Sequence, residues 1–204
     1  MKHIGITGRM GSGKSFISRI FQETFGIPVF DSDLEAKACY QDAHIREEVC
    51  RVFGNGLLLP DKQLDLKALG KLVFTRKDKT EQLNRIVHPE VMKRYRLWNE
   101  SQAKDCPYTL FESAILFESR LHTQFDAIIY IYCPEDLSIE RVRRRNGWNE
   151  EEIRRRLRLQ QSQVEESEKA DFRIAHTYTG DMESSKRQLL PQIREIHRRI
   201  ISLS

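Results

Sequence analysis

One segment, residues 8–15, limits the possible folds of this chain more than any other feature. It reads Gly-Arg-Met-Gly-Ser-Gly-Lys-Ser and matches the pattern G-x-x-x-x-G-K-[ST] in full. A short apolar strand is predicted at residues 4–7 just before it, and a helix is predicted at residues 14–24. Since strand, glycine-rich turn and helix follow in this order, the segment is predicted to bind the phosphate groups of a nucleotide.

Each position of this loop has a physical role in that prediction. Glycines allow the backbone to turn tightly, so that successive N–H groups can point at one anion, and the helix that follows adds its positive end. Lys14 is predicted to reach the β- and γ-phosphates of ATP, and the Ser15 hydroxyl is predicted to bind Mg²⁺. The loop therefore indicates an enzyme or switch protein that uses ATP.

Composition narrows the class of ligand. The chain has 204 residues and a formal net charge of +4, which suits small anionic ligands and gives no reason to expect nucleic acid. The four cysteines are scattered without a CxxC pair, which favours free thiols in a reducing compartment. Neither a secretory leader nor an apolar run of about 18 residues is found, so a cytoplasmic protein without a membrane contact is expected.

The order of elements along the chain predicts an α/β fold. Further buried strands are predicted at residues 27–30, 108–111, 127–132 and 172–175, with amphipathic helices between them. This alternation predicts a doubly wound parallel sheet of the P-loop NTPase type, in one domain. Its core is expected at about 1–33, 106–140 and 169–204, with a helical substrate-side insertion at about 34–105 and a lid at about 141–168.

Two carboxylates follow the second strand, in the sequence Asp31-Ser32-Asp33. Ligands bind at the carboxyl ends of strands in open α/β sheets, so one carboxylate could accept the proton of an attacking hydroxyl. The alternative is that Asp31 or Ser32 caps the next helix. We assign Asp33 as the base and expect one of its neighbours to be the cap.

The stretch from 141 to 158 is rich in arginine and allows two interpretations. Such a run is commonly the solvated face of a helix. It also follows a buried strand and a turn, where a closing helical lid could bring arginines to a transferring phosphoryl group. We favour a lid in which Arg141 and Arg145 lie nearest the phosphates. Trp148 alone does not supply the interleaved aromatic residues of a nucleic-acid surface.

Three further residues carry weaker signals. His88 precedes Pro89, and a lone histidine is more often a structural group than an acid or base, while the proline is expected to mark a helix boundary. Glu112 and Glu118 lie just past a strand, where carboxylates could touch metal or substrate, although a surface position is an equal alternative.

Taken together, these residues resemble the dephospho-CoA kinase family over nearly the whole chain. Besides the loop, five segments carry the likeness: Val29-Phe30-Asp31-Ser32-Asp33, Leu83-Asn84-Arg85-Ile86-Val87-His88-Pro89, Ala114-Ile115-Leu116-Phe117-Glu118, Arg141 with Arg145-Asn146-Gly147, and Lys169-Ala170-Asp171-Phe172. The loop alone specifies only a phosphate-binding protein. The loop, the Asp-x-Asp segment and the His-Pro pair in this order are far more specific.

The resemblance implies ATP-dependent phosphorylation of the ribose 3′-hydroxyl of dephospho-CoA, with Mg²⁺, as the last step of coenzyme A synthesis. It implies that Asp33, Lys14 and Arg141 are catalytic, and that Asp33, His88 and Glu118 bind the substrate. The ATP contacts implied are Gly11, Ser12, Gly13, Lys14, Ser15, Phe16 and Arg145. In two departures, Ala114 replaces a usual proline and His176 stands where an asparagine is common; Phe16 also replaces a frequent threonine.

Two other functions stay open from the residues alone. A related nucleoside or nucleotide kinase would share the loop, the Asp-x-Asp segment and the lid. A P-loop switch ATPase would share the loop but would hydrolyse ATP slowly and without an acceptor.

Overall fold

Five strands form the sheet, in the order β2-β3-β1-β4-β5. Their bounds are β1 Lys2–Thr7, β2 Val29–Asp31, β3 Tyr108–Glu112, β4 Ala127–Tyr132 and β5 Phe172–Ala175. Strand β1 pairs in parallel with β3 and β4, and β4 pairs in parallel with β5. The structure, a computed structural model, describes residues 1–73, 76–103, 105–160, 163–178 and 181–203. The predicted α/β fold with a parallel sheet is confirmed.

Nine α-helices are found among the described residues. They are α1 Lys14–Phe25, α2 Ser32–Cys39, α3 Ala43–Phe53, α4 Leu66–Val73, α5 Lys77–Glu100, α6 Glu135–Asn146, α7 Glu150–Leu159, α8 Gln163–Lys169 and α9 Met182–Ile201. Short 3₁₀ turns lie at Asn55–Leu57 and Leu121–Gln124. Within the part of the chain that the structure describes, no helix combines the length and apolarity that a membrane span needs.

The chain divides into two units, of which the first comprises residues 1–30 and 102–204. Its core lies where α1 and α9 pack on the sheet, and it consists of buried aliphatic and aromatic side chains. The central strands are apolar along their length because helices cover both of their faces. Examples are Ile4, Ile6, Ile129, Ile131 and Tyr108. This packing fixes the strand β1 and helix α1 on either side of the phosphate-binding segment.

The predicted lid corresponds to α6, α7 and α8, which also belong to the first unit. Helices α6 and α7 share a small core of their own, built from Ile139, Val142, Ile153 and Leu157. The Arg156 guanidinium lies 4.2 Å above the Trp148 ring. Such a contact holds the turn between the two helices. Residues 161 and 162 of the predicted lid lie outside the described residues.

The second unit, Asp31–Ser101, is helical and contains α2 to α5. Its longest helix, α5, packs against α2, α3 and α4. The expectation that Pro89 marks a helix boundary is wrong, because Pro89 lies inside α5. A proline within a helix costs one backbone hydrogen bond. The buried side chains Val87, Val91 and Met92 flank it and stabilise the helix by packing. Residues 74, 75 and 104 of the predicted insertion lie outside the described residues.

Candidate active site

The glycine-rich segment turns sharply between β1 and α1. Gly11 has a φ of 80°, and a Cβ atom there would lie 2.5 Å from the Ser138 carbonyl oxygen of α6. A side chain at this position would therefore both strain the backbone and push α6 away. Within the turn, the Ser12 N–H donates to the Arg9 carbonyl oxygen at 3.1 Å. We call residues 8–15 the phosphate loop.

Lys14 begins α1 and is buried, with 9% of its surface exposed. Its Nζ donates to the Gly8 carbonyl oxygen at 2.8 Å, so the ammonium group lies across the phosphate loop. A buried cation is costly unless hydrogen bonds or opposite charge compensate it. An anion bound in the loop would add to that compensation.

Ser15 and Glu112 form the second polar contact of the loop. The Ser15 hydroxyl donates to Glu112 Oε1 at 2.5 Å. Glu112 is the last residue of β3 and is 5% exposed, because β3 lies directly beside β1 in the sheet. The expected alternative of a surface position for Glu112 is therefore wrong. A hydroxyl and a carboxylate in contact are the oxygen ligands that Mg²⁺ prefers.

Arg141 reaches the loop from α6. Its Nη1 lies 3.3 Å from the Ser12 carbonyl oxygen and 3.3 Å from Cys133 Sγ, and its Nη2 donates to the Tyr178 carbonyl oxygen at 2.7 Å. Burial raises the pKa of the Cys133 thiol, which keeps this neighbour neutral. The guanidinium is thus held by backbone carbonyls, and its position beside the phosphate loop is preformed.

Arg145, one turn further along α6, is placed differently. Its side chain is exposed and its Nε donates to Asn146 Oδ1 at 2.7 Å. The two arginines selected from the sequence are therefore not equivalent: Arg141 contacts the loop, whereas Arg145 contacts its own neighbour. An ATP contact for Arg145 remains a prediction.

The outer side of the phosphate loop contacts α6 and the C-terminal end of α7. Arg9 Nη1 pairs with Glu135 Oε2 at 3.2 Å, and Arg9 Nη2 donates to the Leu157 carbonyl oxygen at 2.8 Å. The Met10 N–H donates to Gln160 Oε1 at 2.9 Å. These contacts link the loop to the start of α6 and to the end of α7, so any movement of these two helices must change the contacts of Arg9 and Met10.

Asp33 and His88 belong to the helical unit. The Asp31 carboxylate accepts the Leu34 N–H at 2.9 Å and is the cap of α2, as one alternative for this segment expected. Asp33 lies in the first turn of α2 and is exposed. His88 lies in α5, and burial lowers the pKa of its imidazole. The roles of Asp33 as base and of His88 as a substrate contact stay predictions.

Glu118 lies in a buried carboxyl pair. Both of its carboxylate oxygens are buried, and they face Glu166 of α8, which is 3% exposed. The side chain of Tyr130, from β4, also faces Glu166. Burial, followed by the Glu118 charge, raises the pKa of Glu166 to about 8. The raised pKa favours the protonated form of Glu166 at neutral pH.

Two residues of the site, Arg9 and His176, were not selected from the sequence. Glu112 was named there as a possible contact of metal or substrate, with a surface position as an equal alternative. Arg9 occupies a variable position of the loop pattern, which says nothing about its contacts. His176 was noted only as a departure from the resembled family, yet its ring stacks on Phe16 with centroids 5.8 Å apart.

Comparison with known proteins gives a consistent result. The sequence profile of the family described as dephospho-CoA kinase matches residues 2–179. A dephospho-CoA kinase of Bacteroides fragilis is 37% identical over 195 residues, which are 95% of this chain and 90% of that protein.

Solved structures agree with this match. The crystal structure of TT1252 from Thermus thermophilus superposes with a TM-score of 0.77 and 30% identity, covering 96% of this chain and 97% of that one. A dephospho-CoA kinase from Campylobacter jejuni has a TM-score of 0.63 and 25% identity, covering 96% of this chain and 97% of that one.

Proposed function

The chain belongs to the dephospho-CoA kinase family, and we propose that it transfers the γ-phosphoryl group of ATP to the ribose 3′-hydroxyl of dephospho-CoA. The products are coenzyme A and ADP. The reaction needs a site that holds the ATP phosphates and stabilises the charge on the transferring group. The contacts of Lys14 and Arg141 with the phosphate loop support this function most directly, because they place two cations beside the loop before any ligand binds.

Binding of ATP uses the loop backbone and Lys14. Loop N–H groups and the positive end of α1 would hold the phosphate oxygens, and Lys14 would exchange its bond to Gly8 for the β- and γ-phosphates. Phe16, in the first turn of α1, and Arg145, on α6, are the further ATP contacts that we propose. Arg141 would stabilise the charge that spreads over the γ-phosphoryl oxygens during transfer.

Mg²⁺ fits the donor set at Ser15 and Glu112. Among the described residues no group of three or more histidine, cysteine or acidic side chains could hold a metal by itself. Mg²⁺ at kinase sites is held by few protein ligands together with phosphates and water, which agrees with this arrangement. When bound, the ion would neutralise charge on the β- and γ-phosphates. The Ser15 hydroxyl would be its ligand, and Glu112 would orient that hydroxyl.

Asp33 is the proposed base for the acceptor hydroxyl. Strand β2 ends at Asp31 and α2 begins at Ser32, so the chain presents Asp33 directly after the carboxyl end of a strand. Ligands bind at that edge in open α/β sheets. Asp31 serves as the helix cap, and we assign to Asp33 the role of accepting the 3′-hydroxyl proton as the oxygen attacks the γ-phosphorus.

His88 and Glu118 are proposed substrate contacts. Burial keeps His88 neutral near pH 7, so it would offer one donor and one acceptor to a nucleotide or pantetheine group. Glu118, which faces Glu166 in the buried pair, is the second proposed substrate contact. A cytoplasmic location is proposed as well, consistent with the four free cysteines.

An acceptor-dependent ADP assay tests the proposed function. Purified protein with ATP and Mg²⁺ is offered dephospho-CoA or a panel of nucleosides and nucleotides, and ADP release is followed. We expect ADP release to rise at least about 100-fold with dephospho-CoA and to stay near its basal rate with the panel. Equal stimulation by a nucleoside would indicate the related nucleoside kinase. Release without any acceptor dependence would indicate a switch ATPase.

A further inference from the structure

His176 is the first residue after β5, and it is 5% exposed. Its N–H donates to the Tyr132 carbonyl oxygen at 2.8 Å, which continues the pairing of β4 and β5 by one residue. The backbone of His176 is therefore fixed by the sheet. Its side chain projects from that fixed point against the phosphate loop.

The Ser12 carbonyl oxygen indicates which ring nitrogen of His176 carries the proton. Nδ1 lies 2.8 Å from the Ser12 carbonyl oxygen, and a carbonyl oxygen can only accept a hydrogen bond. Nδ1 must therefore donate. Burial and the Arg141 guanidinium, whose Nη1 is 3.2 Å from Nδ1, lower the pKa of His176 to about 4. The ring is thus neutral at neutral pH, with Nδ1 protonated and Nε2 not.

Two donors therefore meet at one loop carbonyl. His176 Nδ1 and Arg141 Nη1 both point at Ser12 O, at 2.8 and 3.3 Å. In a trans peptide the carbonyl and the following N–H point in opposite directions. Because the Ser12 carbonyl is held toward His176 and Arg141, the Gly13 N–H is directed to the opposite side of the peptide plane.

The same ring explains why residue 13 is glycine. Gly13 has a φ of 92°, and a Cβ atom there would overlap His176 Nδ1 and Cε1. On its other side the His176 ring stacks on Phe16, with ring centroids 5.8 Å apart. The segment that carries His176 also supplies the Tyr178 carbonyl oxygen that accepts from Arg141 Nη2. One short segment after β5 therefore contacts the loop peptide and Arg141 together.

We propose that His176 is a positioning residue for phosphoryl transfer: its ring fixes the Ser12–Gly13 peptide, and the Ser12 carbonyl oxygen held in this way is also an acceptor of Arg141 Nη1. The inference rests on the proposed roles of the phosphate loop and of Arg141. It assigns His176 no contact with the reacting atoms. A fixed peptide presents its N–H to a phosphate without reorganisation, which favours tight ATP binding and a well-placed arginine during transfer.

Asparagine and leucine at position 176 form a matched pair, since they are similar in size and only asparagine can donate a hydrogen bond. We expect His176→Leu to raise the KM for ATP about tenfold and to lower kcat about tenfold. His176→Asn should stay within about threefold of the wild type in both constants. The KM for dephospho-CoA should change less than twofold in either variant, because the altered contacts lie on the ATP side.

His197→Leu is the control for loss of a buried histidine. His197 is in α9, its Nδ1 lies 2.8 Å from the Tyr108 hydroxyl, and it stacks on Phe25, away from the loop. It should leave the KM for ATP unchanged, even if thermal stability falls. Should His176→Leu fail to fold, His176→Phe takes its place, since it keeps the ring but loses the donor.

The outcomes are distinct. The inference would be overturned if His176→Leu, or His176→Phe in its place, had the same KM for ATP as His176→Asn. It would also be overturned if His197→Leu raised the KM for ATP as much as His176→Leu. Failure of the proposed function would appear elsewhere, as absence of dephospho-CoA-dependent ADP release in the wild-type protein.

Discussion

The phosphate loop and the helical unit Asp31–Ser101 hold their proposed functional residues in different ways. Around the loop, Lys14 and Arg141 each donate to backbone carbonyls, and Glu112 accepts from Ser15. In the helical unit, Asp33 lies exposed in the first turn of α2, and its placement depends on the cap at Asp31. The loop is therefore organised before a ligand binds. The position of Asp33, in contrast, is set by the residue at which α2 begins.

This difference suggests a division of work. The loop region should set ATP binding and the stabilisation of phosphoryl charge, and the helical unit should set the acceptor and its deprotonation. Variants of the two regions should then separate in their kinetic constants.

Lys14→Ala should have the largest effect. Loss of the buried ammonium group removes charge that would face the β- and γ-phosphates, so kcat/KM for ATP should fall about 10³-fold. Steady-state kinetics measure the loss in kcat/KM, and thermal melting measures whether the variant still folds. Lys186→Ala, which removes a partly exposed lysine paired with Glu23, is the control and should retain its rate. An equal collapse of folding in both variants would contradict a specific role for Lys14.

Asp33→Asn should lower kcat by about 10²-fold, because an amide cannot accept the hydroxyl proton. The KM for ATP should change less than threefold, since the loop contacts are untouched. Asp31→Asn is a matched control, as asparagine caps a helix about as well as aspartate. If Asp31→Asn lost as much rate as Asp33→Asn, the assignment of the base to Asp33 would be wrong.

Glu112→Gln should have a moderate effect on the metal requirement. Its amide oxygen can still accept from Ser15, but the negative charge beside the hydroxyl is lost. The Mg²⁺ concentration for half-maximal rate should rise about tenfold, which is the usual loss of metal affinity when a residue that orients a metal ligand is changed. Titration of activity with Mg²⁺ measures this. Glu23→Gln serves as the control, and an unchanged Mg²⁺ requirement in Glu112→Gln would remove Glu112 from the metal site.

Glu166→Gln should have the smallest effect on catalysis and a measurable effect on stability. The folded-state pKa of Glu166 is raised to about 8, above an unfolded value near 4.5. The stability contributed by its protonated form is therefore full below about pH 4.5 and is lost as pH rises through about 8. In the wild type the free energy of unfolding should fall over this window.

Glu166→Gln carries an uncharged side chain at every pH, so it should flatten this pH dependence and stabilise the protein by roughly 2 kcal/mol at pH 9. Urea unfolding at pH 5, 7 and 9 measures it. Glu165→Gln, a change at an exposed neighbour, should follow the wild-type curve. A Glu166→Gln curve that keeps the wild-type slope would show that Glu166 is not the titrating group.

The sequence predicted the loop region better than the helical unit, for a physical reason. Strands β4 and β5 have the predicted bounds, because buried parallel strands are continuous apolar runs. The phosphate loop is local in sequence, so its pattern and its geometry coincide. Pro89 was misjudged because tertiary packing in α5 outweighs the local preference against proline. His176 was not found as a loop contact because its partner, Ser12, is 164 residues away.

The most direct test of the central claim concerns the acceptor atom. A dephospho-CoA analogue that lacks the ribose 3′-hydroxyl is compared with dephospho-CoA in the ADP-release assay, and the product is located by ³¹P NMR. We predict no stimulation of ADP release by the 3′-deoxy analogue and, with dephospho-CoA, one new phosphate on the 3′-oxygen per ADP. Stimulated release with the analogue, or a phosphate at another position, would contradict the assigned reaction.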